Sequence, residues 1–407
     1  MVTGLFLFHF STAQNVRTGA DRSDLYLPSL QGKNVGIFAN HTSIRSTTGE
    51  HLVDFLQAQG VKITKIYAPE HGFRGTADAG EKVGNYTDVK TGIPIISLYG
   101  SKLTPSAEDL SGVDILIFDI QDVGVRFYTY ISSLEYFMNA AFENNIPLLV
   151  FDRPNPNGFY VDGPVLQRAY RSFVGMQPVP IVYGMTIGEY AKMLVGEKWL
   201  GKKANDIAEE HPQGDDFRLK IIPCENYTHT TEYILPVKPS PNLPNQQSIY
   251  LYPSICFFEG TDVSLGRGTA LPFQVYGHPT FPDALYSFTP QSVEGAKNPP
   301  LLNKKSYGYD LSQVPIDISE KKWQQIQLEY LLRAYQLFPA KDRFFLRPSK
   351  GNPSGKDYFF NKLAGNDELM KQVMNLKTEK EIRDSWKTDI DAFKKIRKKY
   401  LLYKDFE

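Results

Sequence analysis

Cysteine is nearly missing from this sequence: Cys224 and Cys256 are the only two. A Cys-rich scaffold and a four-cysteine metal site are excluded, and a single disulfide is all the pair allows. An excess of either charge is missing as well. The 45 basic residues balance the 45 acidic ones, which removes the electrostatic argument for nucleic acid or an anionic membrane as a partner. Beyond the N-terminus no apolar run approaches the roughly 20 residues of a membrane span.

What is present describes a soluble globular protein, with hydrophobic content of 42% and charged content of 22%. The 407 residues exceed one ordinary core, so two domains are expected. Tyr and Phe are abundant, at 24 and 26. They stack on sugar rings and bases, but composition alone favours core filling. The opening stretch "MVTGLFLFHFSTAQ" pairs a short apolar run with small residues, the pattern of a secretory signal without its basic n-region. Export to the periplasm or the exterior is expected, either free or membrane-associated, with residues 1–22 as signal remnant and leader.

Strand and helix signals alternate through the first half. Short apolar runs at 34–40, 61–68, 93–100, 113–120 and 146–152 read as strands. Residues 49–60 and 126–145 carry apolar positions at helical spacing, a further helix is expected from about Thr186 through Leu194, and 219–224 can add a strand. Near-continuous apolar strands alternating with helices predict an α/β fold: a Rossmann-like, doubly wound, mostly parallel sheet over 23–235. "LPVKPSPNLPNQQ" (235–247), with four prolines, reads as irregular structure and marks the boundary. A smaller α+β domain over 236–407 follows, with a short strand expected near "SICFFEG" (254–260) and helices toward the C-terminus.

In open α/β sheets, ligands bind outside the carboxyl ends of the strands. Each expected strand ends in a polar loop: "NHTS" with Asn40, "PEHGFRG" with Glu70, His71 and Arg74, "YG", "DIQDVGVRFY" with Asp119, Gln121, Asp122, Arg126 and Tyr128, and "DRPNPNG" with Asp152, Arg153 and Asn155. Their shared rim predicts a functional crevice. "FANHTSIRSTTG" after the first strand lacks G-x-G-x-x-G, and no Walker-type loop stands there, so neither NAD nor ATP is expected and no cofactor is assigned. Glu70 reads three ways: a general acid, a metal ligand with His71, Asp119 or Asp122, or an acceptor for backbone N–H groups in a tight turn. Neither His41 nor His71 sits in an H-x-H or H-E-x-x-H pattern, which weakens the metal reading. Arg126 can pair with a neighbouring acid as a structural clamp. In the second domain, "FFEGTDVSLGRGT" (257–269) brings Glu259, Ser264 and Arg267, and an arginine between two glycines suits a ligand carboxylate or phosphate.

"PEHGFRG", "DIQDVGVRFYTYI", "DRPNP", "PSPNLP" and "FEGTDVSLGRGT", in this order, resemble the NamZ-type exo-β-N-acetylmuramidases, glycoside hydrolase family 171, formerly a domain-of-unknown-function family. The resemblance runs from about Leu27 to the C-terminus. "VYGMTIGE" (182–189) departs from the family pattern, Tyr183 standing where histidine is usual. The resemblance implies release of terminal N-acetylmuramic acid from the non-reducing ends of peptidoglycan fragments, in a cleft between the two domains. It also implies Glu70 as the leading catalytic residue. Glycoside hydrolysis needs an acid at the leaving oxygen and help for an oxocarbenium-like centre. Asp119, Asp122, Asp152, Glu259 or the substrate's own acetamido group could give that help, and Arg267 or Arg126 could hold the lactyl carboxylate of muramic acid. The alternatives are a metal-dependent cell-wall amidase or deacetylase, and a glycan-binding protein without turnover. The expected partners are muramyl saccharides or muropeptides, with no nucleic acid and no membrane span.

Overall fold

A computed structural model describes residues 16–70, 72–74, 84–211, 217–349 and 351–407. Residues 1–15 of the expected signal remnant and leader, and His71, lie outside the described residues. Ten strands are described: β1 (Asn34–Ala39), β2 (Lys62–Ala68), β3 (Tyr86–Thr87), β4 (Pro94–Ser97), β5 (Ile115–Asp119), β6 (Leu148–Phe151), β7 (Leu219–Ile222), β8 (Val275–His278), β9 (Tyr286–Phe288) and β10 (Ser306–Asp310).

The first seven form one sheet in the order β3-β4-β2-β1-β5-β6-β7. Every neighbouring pair is parallel except β3 with β4. Without its antiparallel edge strand this is the 3-2-1-4-5-6 order of a doubly wound sheet. Successive side chains alternate between two buried faces. Phe38, Leu116, Phe118, Leu148 and Val150 point to one face and pack under helix Tyr130–Glu143. Val35, Ile37, Ile117, Leu149 and Phe151 point to the other, under helices Ser23–Leu30 and Leu52–Ala58. Each such side chain contributes about 1.5–3 kcal/mol by leaving water, so both faces must be covered. That explains why the strands read as unbroken apolar runs.

The second domain carries the antiparallel sheet β8-β10-β9 and a set of helices that includes Gln246–Ile255, Leu328–Leu337 and Glu379–Arg397. The expected strand at 254–260 is not there. Asn245 caps a helix through a reciprocal pair with Ser248, the helix runs to Ile255, and a 3-10 turn covers Cys256–Gly260. Ile249, Tyr252 and Cys256 recur at helical spacing and are buried, and this period governs over the β-rich look of "SICFF". Gly260 makes the turn possible: a Cβ there would lie 2.5 Å from the Cα of Phe360. Cys224 and Cys256 are both free, buried thiols.

One apolar cluster runs without a break from Phe38 in the first domain to Phe393 in the last helix. Two buried groups fasten the same seam. Arg126, fully buried, donates to the carbonyls of Pro164 (2.9 Å), Val179 (2.7 Å) and Leu363 (2.7 Å). With no carboxylate among these partners, burial pulls its guanidinium down to about 9. The C-terminal tail returns to the first domain, where the Tyr403 hydroxyl donates to Asp152 at 2.6 Å.

Replacing Arg126 by Met should cost at least about 3 kcal/mol, because three buried carbonyls lose their donor at roughly 1–3 kcal/mol each. Urea unfolding measures it, and a loss under about 1 kcal/mol would contradict the clamp. Asp152 supplies a pH test. Burial, and then the Glu189 charge, push its carboxyl from 3.8 up to about 6. A raised carboxyl binds its proton more tightly in the folded chain. Its contribution is therefore complete below about pH 4 and is lost as pH rises to about 6, by roughly 1–3 kcal/mol. The stability difference between wild type and Asp152→Asn should change by that amount across this interval, and a difference flat in pH would refute the assignment.

Candidate active site

The carboxyl ends of β1, β5 and β6 carry the polar loops expected to bind ligand, and the chain fills the space between them with its own hydrogen bonds. Asp119, the last residue of β5, accepts Nε and Nη2 of Arg153 at 2.6 and 2.8 Å. Arg153 also donates to the carbonyl of Ile44 at 2.9 Å. Burial opposes its charge, and the Asp119 carboxylate more than offsets this, holding the guanidinium above its ordinary range. Asn40 donates to the Tyr130 hydroxyl at 2.9 Å and accepts from the backbone and hydroxyl of Thr42. The Gln121 amide donates to the carbonyls of Asp122 and Pro154 at 2.8 and 2.7 Å.

Asp152 is saturated in the same way. It accepts the backbone N–H groups of Arg153 and Gly188 and the hydroxyls of Thr186 and Tyr403. Asn155 donates to Met185 and accepts from the Asn157 backbone, both at 2.8 Å. Its amide lies against Gly124, where φ is +74° and a Cβ would come within 2.0 Å of the Asn155 Oδ1, so the position demands glycine. Asp122 accepts the Gly124 N–H at 2.7 Å and the Tyr183 hydroxyl at 2.5 Å. Its other oxygen is buried without a hydrogen-bond partner among the described residues, and burial pushes the carboxyl up to about 7. Tyr183 therefore serves the frame behind the rim and faces Asp122 rather than open space.

Three further expected ligands are also engaged. Arg74 holds Asp88 through Nε and Nη2 at 3.1 and 2.7 Å and lies over the Phe73 ring. Burial works against the Asp88 carboxylate, but Arg74 and Thr91 hold it below its usual range. Ser264 is fully buried, pairs with the Gly277 backbone and accepts the Gly266 N–H. Arg126 is the seam clamp, bound to carbonyls instead of the neighbouring acids. His71 lies outside the described residues, so the metal-ligand grouping built on it has no described geometry. Among the described residues no three His, Cys, Asp or Glu side chains gather in a metal-binding arrangement.

Open space lies farther out, beyond the ends of β2 and β4, under the second domain. A cleft of about 700 Å³ is lined by Glu70 and Tyr99 from those strand ends, Phe127 and Thr129 from the loop after β5, and Tyr252, Glu259 and Arg267 from the second domain. The loop 295–300 closes one side of it. At its floor an inner recess of about 80 Å³ adds Tyr128, Tyr130, Ser240 and Phe273. Half-buried Glu70 accepts the Tyr99 hydroxyl at 2.8 Å. Tyr128 donates to the Pro239 carbonyl and meets Tyr130 and Tyr252 edge to face. Arg267 gives both Nε and Nη2 to one oxygen of Glu259 at 2.8 Å and lies 5.0 Å from the Phe273 ring centre. Burial opposes its charge, and Glu259 raises the guanidinium above its ordinary value.

Of the residues expected at the site, Glu70, Tyr128, Glu259 and Arg267 thus meet on one cavity, and the carboxylates among the described lining are Glu70 and Glu259. Tyr99, Thr129 and Tyr252 complete it. Tyr99 had a signal, since "YG" closes an expected strand on the same rim. Tyr252 had none, standing between the stretch read as linker (235–247) and the expected strand (254–260).

Residues 35–247 match the N-terminal domain, and residues 250–403 the C-terminal domain, of the exo-β-N-acetylmuramidase NamZ family. A curated relative, the peptidoglycan β-N-acetylmuramidase NamZ of Bacillus subtilis strain 168, is 34% identical, the alignment covering 99% of this chain and 98% of that protein. Two crystal structures of DUF1343 family proteins from Bacteroides fragilis share the fold. One has a TM-score of 0.83 at 47% identity, over 96% of this chain and 100% of its own. The other has a TM-score of 0.76 at 27% identity, over 96% and 99%. With both halves matched in order and a curated relative aligned end to end, the chain belongs to the NamZ family of exo-β-N-acetylmuramidases.

Proposed function

We propose that this chain is a glycoside hydrolase that releases terminal N-acetylmuramic acid from the non-reducing ends of peptidoglycan fragments. The observation that carries the reading is the meeting of Glu70, held by Tyr99, and Arg267, held by Glu259, on one cleft. Hydrolysis requires a proton at the glycosidic oxygen as it leaves. Glu70 supplies it: the carboxyl lines the cleft, and the Tyr99 hydroxyl fixes one of its oxygens there. Muramic acid differs from the other peptidoglycan sugar by a lactyl carboxylate. Arg267 is the cation for it, charged through Glu259 and oriented by its packing on Phe273.

The second catalytic role does not suit Asp119 or Asp152, whose oxygens are already committed inside the frame, nor Asp122, which is buried behind the rim against Gly124 and Tyr183 and does not line the cleft. Glu259 shares the cleft but spends one oxygen on two arginine donors, which makes it a positioning residue for Arg267. The substrate's own acetamido group fits the remaining role, the help that the oxocarbenium-like centre needs. Tyr128 and Tyr252 supply apolar faces of the kind on which sugar rings stack. We propose further that the chain acts after export, in the periplasm or outside the cell, where peptidoglycan is found. The apolar opening of the sequence supports this.

Two outcomes test the assignment on a chromogenic muramide. Glu70→Gln should lower kcat by roughly 10²–10⁴ while thermal unfolding stays unchanged. Wild-type release by that variant would remove Glu70 from the acid role. Arg267→Ala should raise KM by roughly ten- to a hundredfold, the worth of a charge-assisted bond. The matching glucosaminide, which lacks the lactyl group, should be insensitive. Equal losses on both sugars would mean that Arg267 does not read the carboxylate.

A further inference from the structure

A second concavity of about 610 Å³ lies beside helix Tyr130–Glu143, away from the catalytic cleft. Two chain segments join the two cavities. The segment after β4 places Tyr99 in the cleft and Thr104 and Pro105 in the groove. The tight turn closed by the Ser172–Gly175 bridge places Phe173 and Val174 in the cleft, with Arg171 and Met176 on the groove. The seam between them is the stack of Tyr136, from the groove wall, on Phe173, from the cleft wall.

The groove wall sets aromatic surface beside polar and charged side chains. Glu135 is 1% exposed. One of its oxygens accepts Arg171 and Gln177 at 2.8 Å, and the other has no hydrogen-bond partner among the described residues. Such an oxygen is costly to leave unmatched. Burial pushes the Glu135 carboxyl up to about 7, so near neutrality it is charged only part of the time. Trp199, half-buried, and Tyr136 present aromatic surface beside it. Aromatic faces next to hydroxyl-matching polar groups are the chemistry of a saccharide subsite.

We propose that this groove binds the aglycone, holding the sugar residues that lie beyond the scissile bond as the glycan leaves the cleft. The proposal rests on the hydrolase reading above. It makes the enzyme sensitive to the length of its substrate, because a disaccharide ends within the cleft and a longer chain crosses the Phe173–Tyr136 seam into the groove.

Binding tests this separately from turnover. In Glu70→Gln protein, titration calorimetry should show a peptide-free tetrasaccharide of alternating N-acetylmuramic acid and N-acetylglucosamine binding more tightly than the disaccharide. Adding Trp199→Ala should weaken the tetrasaccharide by about tenfold and leave the disaccharide unchanged. Thr104→Trp, which adds bulk from an exposed position and removes no packing, should cause the same selective loss even if Trp199→Ala folds poorly. Equal affinity for the two lengths, or equal losses on both, would overturn the proposal. If length is discriminated and wild type releases no muramic acid, the groove stands and the hydrolase reading fails. If a chromogenic muramide is hydrolysed and length makes no difference, the groove alone fails.

Discussion

Asp119 and Arg153 bury one another at the middle of the sheet, and the position of the open site depends on that pair. Asp119 ends β5, and Arg153 follows β6 and reaches the carbonyl of Ile44 beyond β1. The pair therefore ties together three strand ends at the point where the strand order reverses direction. In open α/β folds this is where a crevice forms and a ligand binds. Here two buried charges take the space, and neither can be removed without stranding the other at a cost of about 3–5 kcal/mol. The cavity is displaced outward, to the ends of β2 and β4, and its missing wall comes from the second domain.

That wall must be held in register, and the same polar shell holds it. Asp152 receives the Tyr403 hydroxyl from the end of the chain. Arg397, fully buried, donates to the Gly184 carbonyl and pairs with Asp405. Arg126 joins three carbonyls across the seam. These bonds run over a continuous apolar cluster, a combination that disfavours hinge motion between the domains. A cleft whose two walls are fixed in this way is preformed, so binding a sugar need not also order the protein.

Much of this was legible in the sequence, and the illegible part has a common physical cause. The strands were readable because a sheet buried on both faces leaves an unbroken apolar run. Glu70, Glu259 and Arg267 were readable because a charged residue placed directly after such a run, or between glycines, has few local partners. Asp119, Asp122, Asp152 and Arg153 carry the same local signal. What separates them is the supply of partners from far along the chain: Tyr183 for Asp122, Thr186 and Tyr403 for Asp152. No spacing rule reveals that supply, so rim residues that line the cleft and rim residues that seal the rim look alike until the chain is folded. The helix Gln246–Ile255 was missed for a different reason. Its apolar residues are mostly β-branched and aromatic, and the Asn245–Ser248 cap that starts it sits at the end of a proline-rich stretch.

The two carboxylates left on the cleft differ in what already holds them. Glu70 accepts a neutral hydroxyl, that of Tyr99, on one oxygen. Glu259 is met by a guanidinium, two donors of Arg267 on one oxygen. A carboxylate so paired keeps that cation in place. On the proposed reading, the division of labour in the cleft follows from these partners: proton transfer at the end of β2, and charge recognition at the glycine-flanked turn. On the same reading, help at the anomeric centre comes from the substrate's own acetamido group rather than from a second carboxylate of the protein.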